Sequence, residues 1–219
     1  MPEAVLFDLD GTLADTAPDL GGALNRLLSE QGREPLPMER LRRHVSSGAR
    51  GMIGAGLGIT PADAAYADLQ QRFLAIYLDS LCVGTRLFDG MTDHLAELDA
   101  RCIPWGIVTN KSQRFAIPLL EGLALRQRCA CIVCGDSAQR AKPHAHPMQL
   151  ASAVIGIAAA GCIYVGDDER DMISGRAAGM KTVVAGWGYL GDGKPPTDWG
   201  ADGIATTPQD ILGIAGASR

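Results

Sequence analysis

No apolar run in this 219-residue chain approaches the ~18 residues a membrane-spanning helix needs, and no charged segment followed by a long apolar one opens it. A soluble, cytoplasmic protein with no membrane partner is therefore expected. No basic stripe stands out against a net charge of -5 and a pI of about 5.3, which argues against nucleic acid as the main partner. Internal repeats and low-complexity tracts are absent. Cys131 and Cys134 form a CxxC with His144 and His146 downstream, but no second ligand pair with finger-like spacing completes a zinc site. Without a secretion signal the six cysteines are expected as reduced thiols. The run Cys129 to Cys134 is expected as a buried strand in which cysteine acts as a small hydrophobe. What is present is 47% hydrophobic content, enough for a substantial core and one or two domains.

The chain is organised around Val5 to Thr16. The apolar run Ala4 to Phe7 has the composition of a strand buried on both faces, as in a parallel sheet, and it ends in Asp8 and Asp10 with Gly11 next. Acidic residues at such an exit stand where α/β folds bind ligands, at the carboxyl edge of the sheet. With only Leu9 between them, the two acids would share a face of a continuing strand. They would repel unless a cation lay beside them, and Mg²⁺ suits a few carboxylate oxygens together with water and a substrate phosphate.

Downstream, Leu20, Ala23, Leu24, Leu27 and Leu28 recur at helical spacing after Pro18, and Gly32 ends that helix. A second helix is expected over Met38 to Val45, then a small-residue stretch around Ser46 to Gly51, glycine-punctuated to Gly58. Thr60 is the expected N-cap of a further helix, with Asp63 in capping-box position and Leu69, Phe73, Ile76 and Tyr77 on one face. From Gly90 the pattern alternates. Strands are expected at Ile103–Thr109, Cys129–Cys134, Cys162–Val165 and Thr182–Ala185, with helices between them, and Gly186 to Gly200 is expected as a loop. That order implies a doubly wound parallel sheet, α/β and Rossmann-like, with a small helical cap inserted after strand one. The core would comprise residues 1–16 and 85–219, and the cap 17–84. His44 and His94 are expected as ordinary surface or cap residues.

Three strands end in polar groups: Asp8 and Asp10 after the first, Thr109-Asn110-Lys111 after the second, and Gly166-Asp167-Asp168-Glu169-Arg170-Asp171 after a later one. Lys142 precedes Pro143 at a loop-to-helix transition. Asp8-Leu9-Asp10-Gly11-Thr12 resembles the DxDGT signature of haloacid dehalogenase-like phosphatases, and Thr109, Lys142 and the GDxxxD run from Gly166 to Asp171 resemble that family's three further motifs, in the same order. The resemblance implies Asp8 as a nucleophile that forms an aspartyl-phosphate, and Asp10 as general acid and then base. It implies Thr109, with Asn110 beside it, as a phosphoryl holder, and Lys142 as the cation that orients Asp8 and offsets phosphoryl charge. Mg²⁺ would be held by Asp8, by Asp10 through its backbone carbonyl, by Asp167 directly and by Asp171 directly or through water. Asp167 and Asp171 lie i, i+4 on one helix face. Asp168 and Glu169 are accounted for as an acidic helix start favoured by the dipole and are given no role.

A cap of this size implies substrate selection and closure against water. Ser47, Gly48 and Arg50 are the cap candidates for reaching the substrate, Arg50 being equally readable as a solvated surface arginine. The chain is similar to phosphoglycolate phosphatases in Phe7 to Leu13 and Val165 to Asp167. It is similar to bacterial N-acetylmuramic acid 6-phosphate phosphatases in Ser46 to Arg50, Trp187-Gly188-Tyr189 and Trp199 to Asp202. The expected partner is a small phosphorylated metabolite, and the expected assembly a monomer or homodimer. A sugar phosphomutase on the same core remains an alternative. A non-catalytic phosphoacceptor module is remote, because receivers take their phosphoacceptor from a later strand and have no use for a cap.

Overall fold

The computed structural model describes residues 1–216. In chain order the elements are β1 (Ala4–Phe7), β2 (Ala14–Asp15), α1 (Ala17–Glu30), α2 (Met38–Arg42), α3 (Gly48–Leu57), α4 (Tyr66–Asp79) and β3 (Arg86–Leu87). These are followed by α5 (Met91–Ala100), β4 (Trp105–Val108), α6 (Gln113–Gly122), β5 (Ile132–Val133), α7 (His146–Ile155) and β6 (Cys162–Gly166). The chain then forms α8 (Glu169–Ala177), β7 (Lys181–Ala185), β8 (Gly203–Ala205) and α9 (Asp210–Gly216).

Six strands form one sheet in the order β5-β4-β1-β6-β7-β8, and every pairing is parallel. The strands are apolar because helices cover both faces. In β1 the alternation is resolved: Val5 and Phe7 enter the layer that contains Leu95, Leu98, Leu119 and Ile211, whereas Ala4 and Leu6 enter the layer of Met148, Ala151 and Tyr164. From β1 the chain passes to β4 on one side and later returns to β6 on the other. The carboxyl end of β1 is thus the point where the winding reverses, and a crevice opens there.

The helices α1 to α4 are the cap inserted after strand one. They bury Leu20, Leu24, Leu27, Phe73, Ile76 and Tyr77 against one another, and Phe115 and Tyr189 of the sheet-bearing part join this cluster. The two connections between cap and core are β2 and β3, which pair antiparallel with Ala14 opposite Leu87 and Asp15 opposite Arg86. Two residues per strand leave no periodicity to read, and the sequence gives no sign of this ribbon.

Several local expectations shift. The fourth helix begins at Tyr66, not beside Thr60. Thr60 and Asp63 close a turn of their own, with the Thr60 amide and hydroxyl both donating to Asp63 Oδ2. The second helix stops at Arg42 and is followed by a short 3-10 turn, Val45–Ser47. The glycine-rich segment after it is the regular helix α3. Its glycines serve close packing: a Cβ on Gly56 would lie 2.9 Å from Leu24 Cδ1, and one on Gly51 would lie 2.5 Å from the His44 carbonyl. The strand expected over Cys129–Cys134 narrows to β5, although Ala130 N still donates to Trp105 O.

His94 is neither a surface nor a cap residue. It lies in α5, wholly buried, on the face that Met91, Leu95 and Leu98 share at helical spacing. Its ring meets Phe7 edge-on at 6.0 Å, and neither ring nitrogen has a hydrogen-bond partner. Burial lowers its pKa, outweighing the opposing pull of Glu97. The cysteines are all free. Burial pushes the Cys131, Cys134 and Cys162 thiols up to about 11, so they pack as neutral groups.

Candidate active site

The last sheet hydrogen bond of β1 runs from Asp8 N to Val165 O at 2.9 Å, so the Asp8 carboxyl emerges where β1 ends between β4 and β6. The chain then turns sharply. Leu13 N and Ala14 N both donate to Leu9 O, and Gly11 adopts φ +83°. A Cβ on Gly11 would fall 2.1 Å from Asp167 Oδ2, so glycine is required there by both conformation and space.

Asp8, Asp167 and Asp171 bring carboxylate oxygens within 4.8 Å of one another. Asp167 is 1% exposed and hydrogen-bonded on both oxygens: Thr12 Oγ1 donates to Oδ1 at 2.9 Å, and Ser46 Oγ and Tyr189 N donate to Oδ2, each at 3.1 Å. Burial, and next the charges of Asp8 and Asp171, raise its pKa well above the carboxylate range. Burial also raises Asp171, to about 6, against the pull of Lys142. Three carboxyl groups this close together fit a divalent cation, and an all-oxygen donor set suits Mg²⁺ chemistry.

Lys142 is the cation present. Its Nζ lies 2.9 Å from Asp8 Oδ1 and 2.7 Å from Asp171 Oδ1, and it also donates to Val108 O and Tyr164 Oη. Burial disfavours the ammonium, but the two carboxylates outweigh it and the pKa is raised. Asn110, expected to touch substrate, lines the cavity over the acids, and its side-chain amide clamps the Lys142 backbone. It donates to Lys142 O at 3.0 Å and accepts from Lys142 N at 2.9 Å. Its amide group is therefore a positioning group.

The Asp10 side chain does not join the three acids. It accepts from Thr16 Oγ1 at 2.6 Å and from Lys111 Nζ at 2.9 and 3.1 Å. Lys111 is 8% exposed, and its ammonium also sits 4.9 Å from the centre of the Tyr77 ring of α4. Its pKa is raised, because Asp10 outweighs the cost of burial. The sequence reading gave no role to Lys111, although it directly follows Thr109-Asn110. Thr12, Ser46, Tyr164 and Tyr189 were missed as well, because they act through long-range hydrogen bonds that spacing does not encode.

A cavity of about 290 Å³ opens over these groups, and Asp8, Asp10, Thr109, Lys142, Ser47 and Gly48 all line it. Arg50 does not. It is exposed and lines an adjoining cleft, because α3 starts at Gly48 and carries the next turn away from the acids. Asp168 is a helix cap, accepting from Arg170 N, and pairs with the Arg170 guanidinium at 2.8 Å, whereas Glu169 pairs with Lys194 at the surface.

Tyr189 ties this site to the linkers. Its hydroxyl accepts from Thr16 N and Ala17 N and donates to Asp15, and its ring packs on Phe88 just after β3. Its own amide is on Asp167.

The site thus combines a carboxylate at the mouth of the cavity, a second acid held apart from it, a buried lysine and an acidic metal-type cluster, all at the switch point of a parallel sheet, the place where α/β enzymes bind their ligands. The family is equally plain. The chain belongs to the haloacid dehalogenase-like hydrolases, whose model matches residues 5–185. It is 44% identical over 211 residues to a phosphoglycolate phosphatase of Xanthomonas campestris pv. campestris, covering 96% of this chain and 95% of that one. It is 38% identical over 212 residues to an N-acetylmuramic acid 6-phosphate phosphatase of Pseudomonas aeruginosa, covering 97% and 94%. The crystal structure of a predicted phosphoglycolate phosphatase from Haemophilus somnus 129PT superposes with a TM-score of 0.85 at 24% identity, covering 97% of each chain. Its curated relatives are thus phosphatases.

Proposed function

We propose that this protein is a Mg²⁺-dependent phosphomonoester hydrolase acting through an aspartyl-phosphate on a small phosphorylated metabolite, of the kind represented by 2-phosphoglycolate or N-acetylmuramic acid 6-phosphate. The observation that carries this reading is Asp8. It is aimed into the cavity, paired with buried Lys142 at 2.9 Å, and grouped with Asp167 and Asp171.

In this reading an Asp8 carboxylate oxygen attacks phosphorus. The P–O bond to the alcohol breaks, and the departing oxygen takes a proton from Asp10. Water then attacks the phosphorus of the aspartyl-phosphate, giving its proton to Asp10 and releasing phosphate and the Asp8 carboxylate. Lys142 holds the attacking carboxylate, and the Thr109 hydroxyl faces the phosphoryl oxygens. Asp8, Asp167, Asp171 and the Asp10 carbonyl would hold Mg²⁺, which when bound offsets the phosphoryl charge. Residues 17–84 act as the cap, with Ser46 joining it to Asp167.

Phosphate release from p-nitrophenyl phosphate and a panel of phosphomonoesters, with Mg²⁺, tests this. Turnover without any bisphosphate activator, lost in Asp8→Asn, is expected. Turnover that survives Asp8→Asn, or that requires a bisphosphate, overturns it.

A further inference from the structure

Two lysines stand among the acids at the sheet edge. Lys142 holds Asp8. Lys111, which the hydrolase reading leaves without a role, holds Asp10. It belongs to the connection between β4 and α6, where its backbone is pinned on both sides. Its amide donates to Thr109 Oγ1 at 3.2 Å, and its carbonyl accepts from Gly135 N at 2.9 Å. The side chain is 8% exposed, and its ammonium lies 2.9 Å from Asp10 Oδ1 and 3.1 Å from Oδ2.

A buried ion pair is weak evidence of a role in stability, because apolar residues of similar volume often serve the fold as well. What this pair does fix is the orientation of the carboxyl group. Asp10 Oδ1 takes two donors, Thr16 Oγ1 at 2.6 Å and Lys111 Nζ, and these occupy both of its lone pairs. Oδ2 takes Lys111 alone. The carboxyl is held against rotation, and Oδ2 is the oxygen left with a lone pair for a proton.

The cap completes the arrangement. Tyr77, buried in α4, places its ring centre 4.9 Å from the Lys111 ammonium, and the Phe115 ring of α6 packs on it at 5.7 Å. The Tyr77 hydroxyl has no hydrogen-bond partner among the described residues, so what Tyr77 offers Lys111 is the face of its ring. Asp10, Tyr77, Lys111 and Phe115 all line the cavity that would receive the ester.

We propose that Lys111 is a positioning residue for Asp10, fixing Oδ2 as the oxygen that exchanges the proton, with Tyr77 holding the lysine from the cap. As the P–O bond breaks, its electron pair stays on the alcohol oxygen, which takes the proton from Oδ2. When water attacks the aspartyl-phosphate, its proton passes to Oδ2 and its oxygen bonds to phosphorus. The inference rests on the hydrolase reading above and deepens it.

Leaving-group basicity tests it. Phenyl phosphate and p-nitrophenyl phosphate differ little in shape, but phenolate is the more basic leaving group and needs the proton more. Their kcat/KM values, with Mg²⁺, report the steps up to the aspartyl-phosphate. In Lys111→Met, kcat/KM for phenyl phosphate should fall at least about tenfold further than for p-nitrophenyl phosphate, part of the ~10²–10⁴ that a positioned acid supplies. With p-nitrophenyl phosphate the variant should release a burst of nitrophenolate and then turn over slowly, because water still needs Asp10. Tyr77→Leu keeps the lysine but removes the ring, and should show the same selective loss to a smaller extent, which also keeps the test open if Lys111→Met does not fold. Equal losses on the two esters in the folded variants, or no loss, overturn the inference and leave the hydrolase reading standing. Selective loss in Lys111→Met alone overturns the part given to Tyr77. Failure of the parent to turn over either ester overturns both.

Discussion

Replacing Lys142 by Met should expose how much of the fold depends on one buried charge. Lys142 is 5% exposed and makes four contacts: carboxylates of Asp8 and Asp171 at 2.9 and 2.7 Å, the Val108 carbonyl at 3.1 Å and the Tyr164 hydroxyl at 2.8 Å. At an effective dielectric of about 20, each ion pair is worth roughly 6 kcal/mol of gross attraction, most of it offset by desolvation. Methionine preserves the stem but leaves Asp8, Asp167 and Asp171 within 4.8 Å of one another without the ammonium that contacts two of them. Breaking a buried pair in this way costs about 3–5 kcal/mol. Urea unfolding without divalent metal should register that loss in Lys142→Met. Saturating Mg²⁺ should stabilise the variant more than the parent, because in the variant it meets carboxylates that no longer have the ammonium in contact with them. A loss below about 1 kcal/mol, or equal Mg²⁺ stabilisation of both proteins, would refute the electrostatic account of the cluster.

Three further outcomes follow from particular contacts. His94 has its pKa lowered by burial, so the unfolded chain takes up its proton first. The neutral-imidazole contribution is full above pH ~6.5 and is lost as pH falls below that, at up to about 1.4 kcal/mol per pH unit. His94→Leu should flatten the difference in unfolding free energy between pH 7 and 5 relative to the parent, and an identical pH profile would contradict this. Gly11→Ala places a Cβ 2.1 Å from Asp167 Oδ2 at φ +83°, so the Mg²⁺ concentration for half-maximal activity should rise at least about tenfold; unchanged activation would sink the claim. Tyr189→Phe leaves the Thr16 and Ala17 amides without their shared acceptor, which should cost about 1–3 kcal/mol in urea unfolding; a change under about 0.5 kcal/mol would show that Asp15 replaces it.

The sheet and the acids at its edge were legible because they rest on short-range signals. Ala4 to Phe7 is apolar throughout and stops at Asp8, so the strand and its chemical end are written in adjacent residues. Asp167 and Asp171 stand directly after the apolar strand β6, but the shared helix face expected for them is not formed, because α8 starts at Glu169 and Asp167 lies in the turn before it. The β2–β3 ribbon joins Asp15 to Arg86 across the whole cap, and Tyr189 reaches Asp15 across most of the chain, so neither leaves a local pattern. His94 misled because its polarity suggests a surface, whereas its helical phase with Met91, Leu95 and Leu98 places it in the core. The glycine-punctuated stretch to Gly58 was assigned no element of its own, yet it is the helix α3, in which Gly56 is small because Leu24 lies against it. Arg50 was placed by proximity in sequence to Ser47, and one helical turn was enough to carry it into a different cleft.

The central claim is that Asp8 carries the phosphoryl group, and Asp10→Asn tests it most directly. Asparagine keeps an oxygen for Thr16 Oγ1 and Lys111 Nζ, so the local bonds to position 10 survive while proton transfer to and from water is lost. Brief incubation of this variant with an accepted phosphomonoester and Mg²⁺, acid quench and peptide mass spectrometry should find one phosphoryl group on the peptide containing Asp8. A phosphoryl group on any other residue, or an unmodified Asp8 peptide while phosphate is still released, would contradict the account.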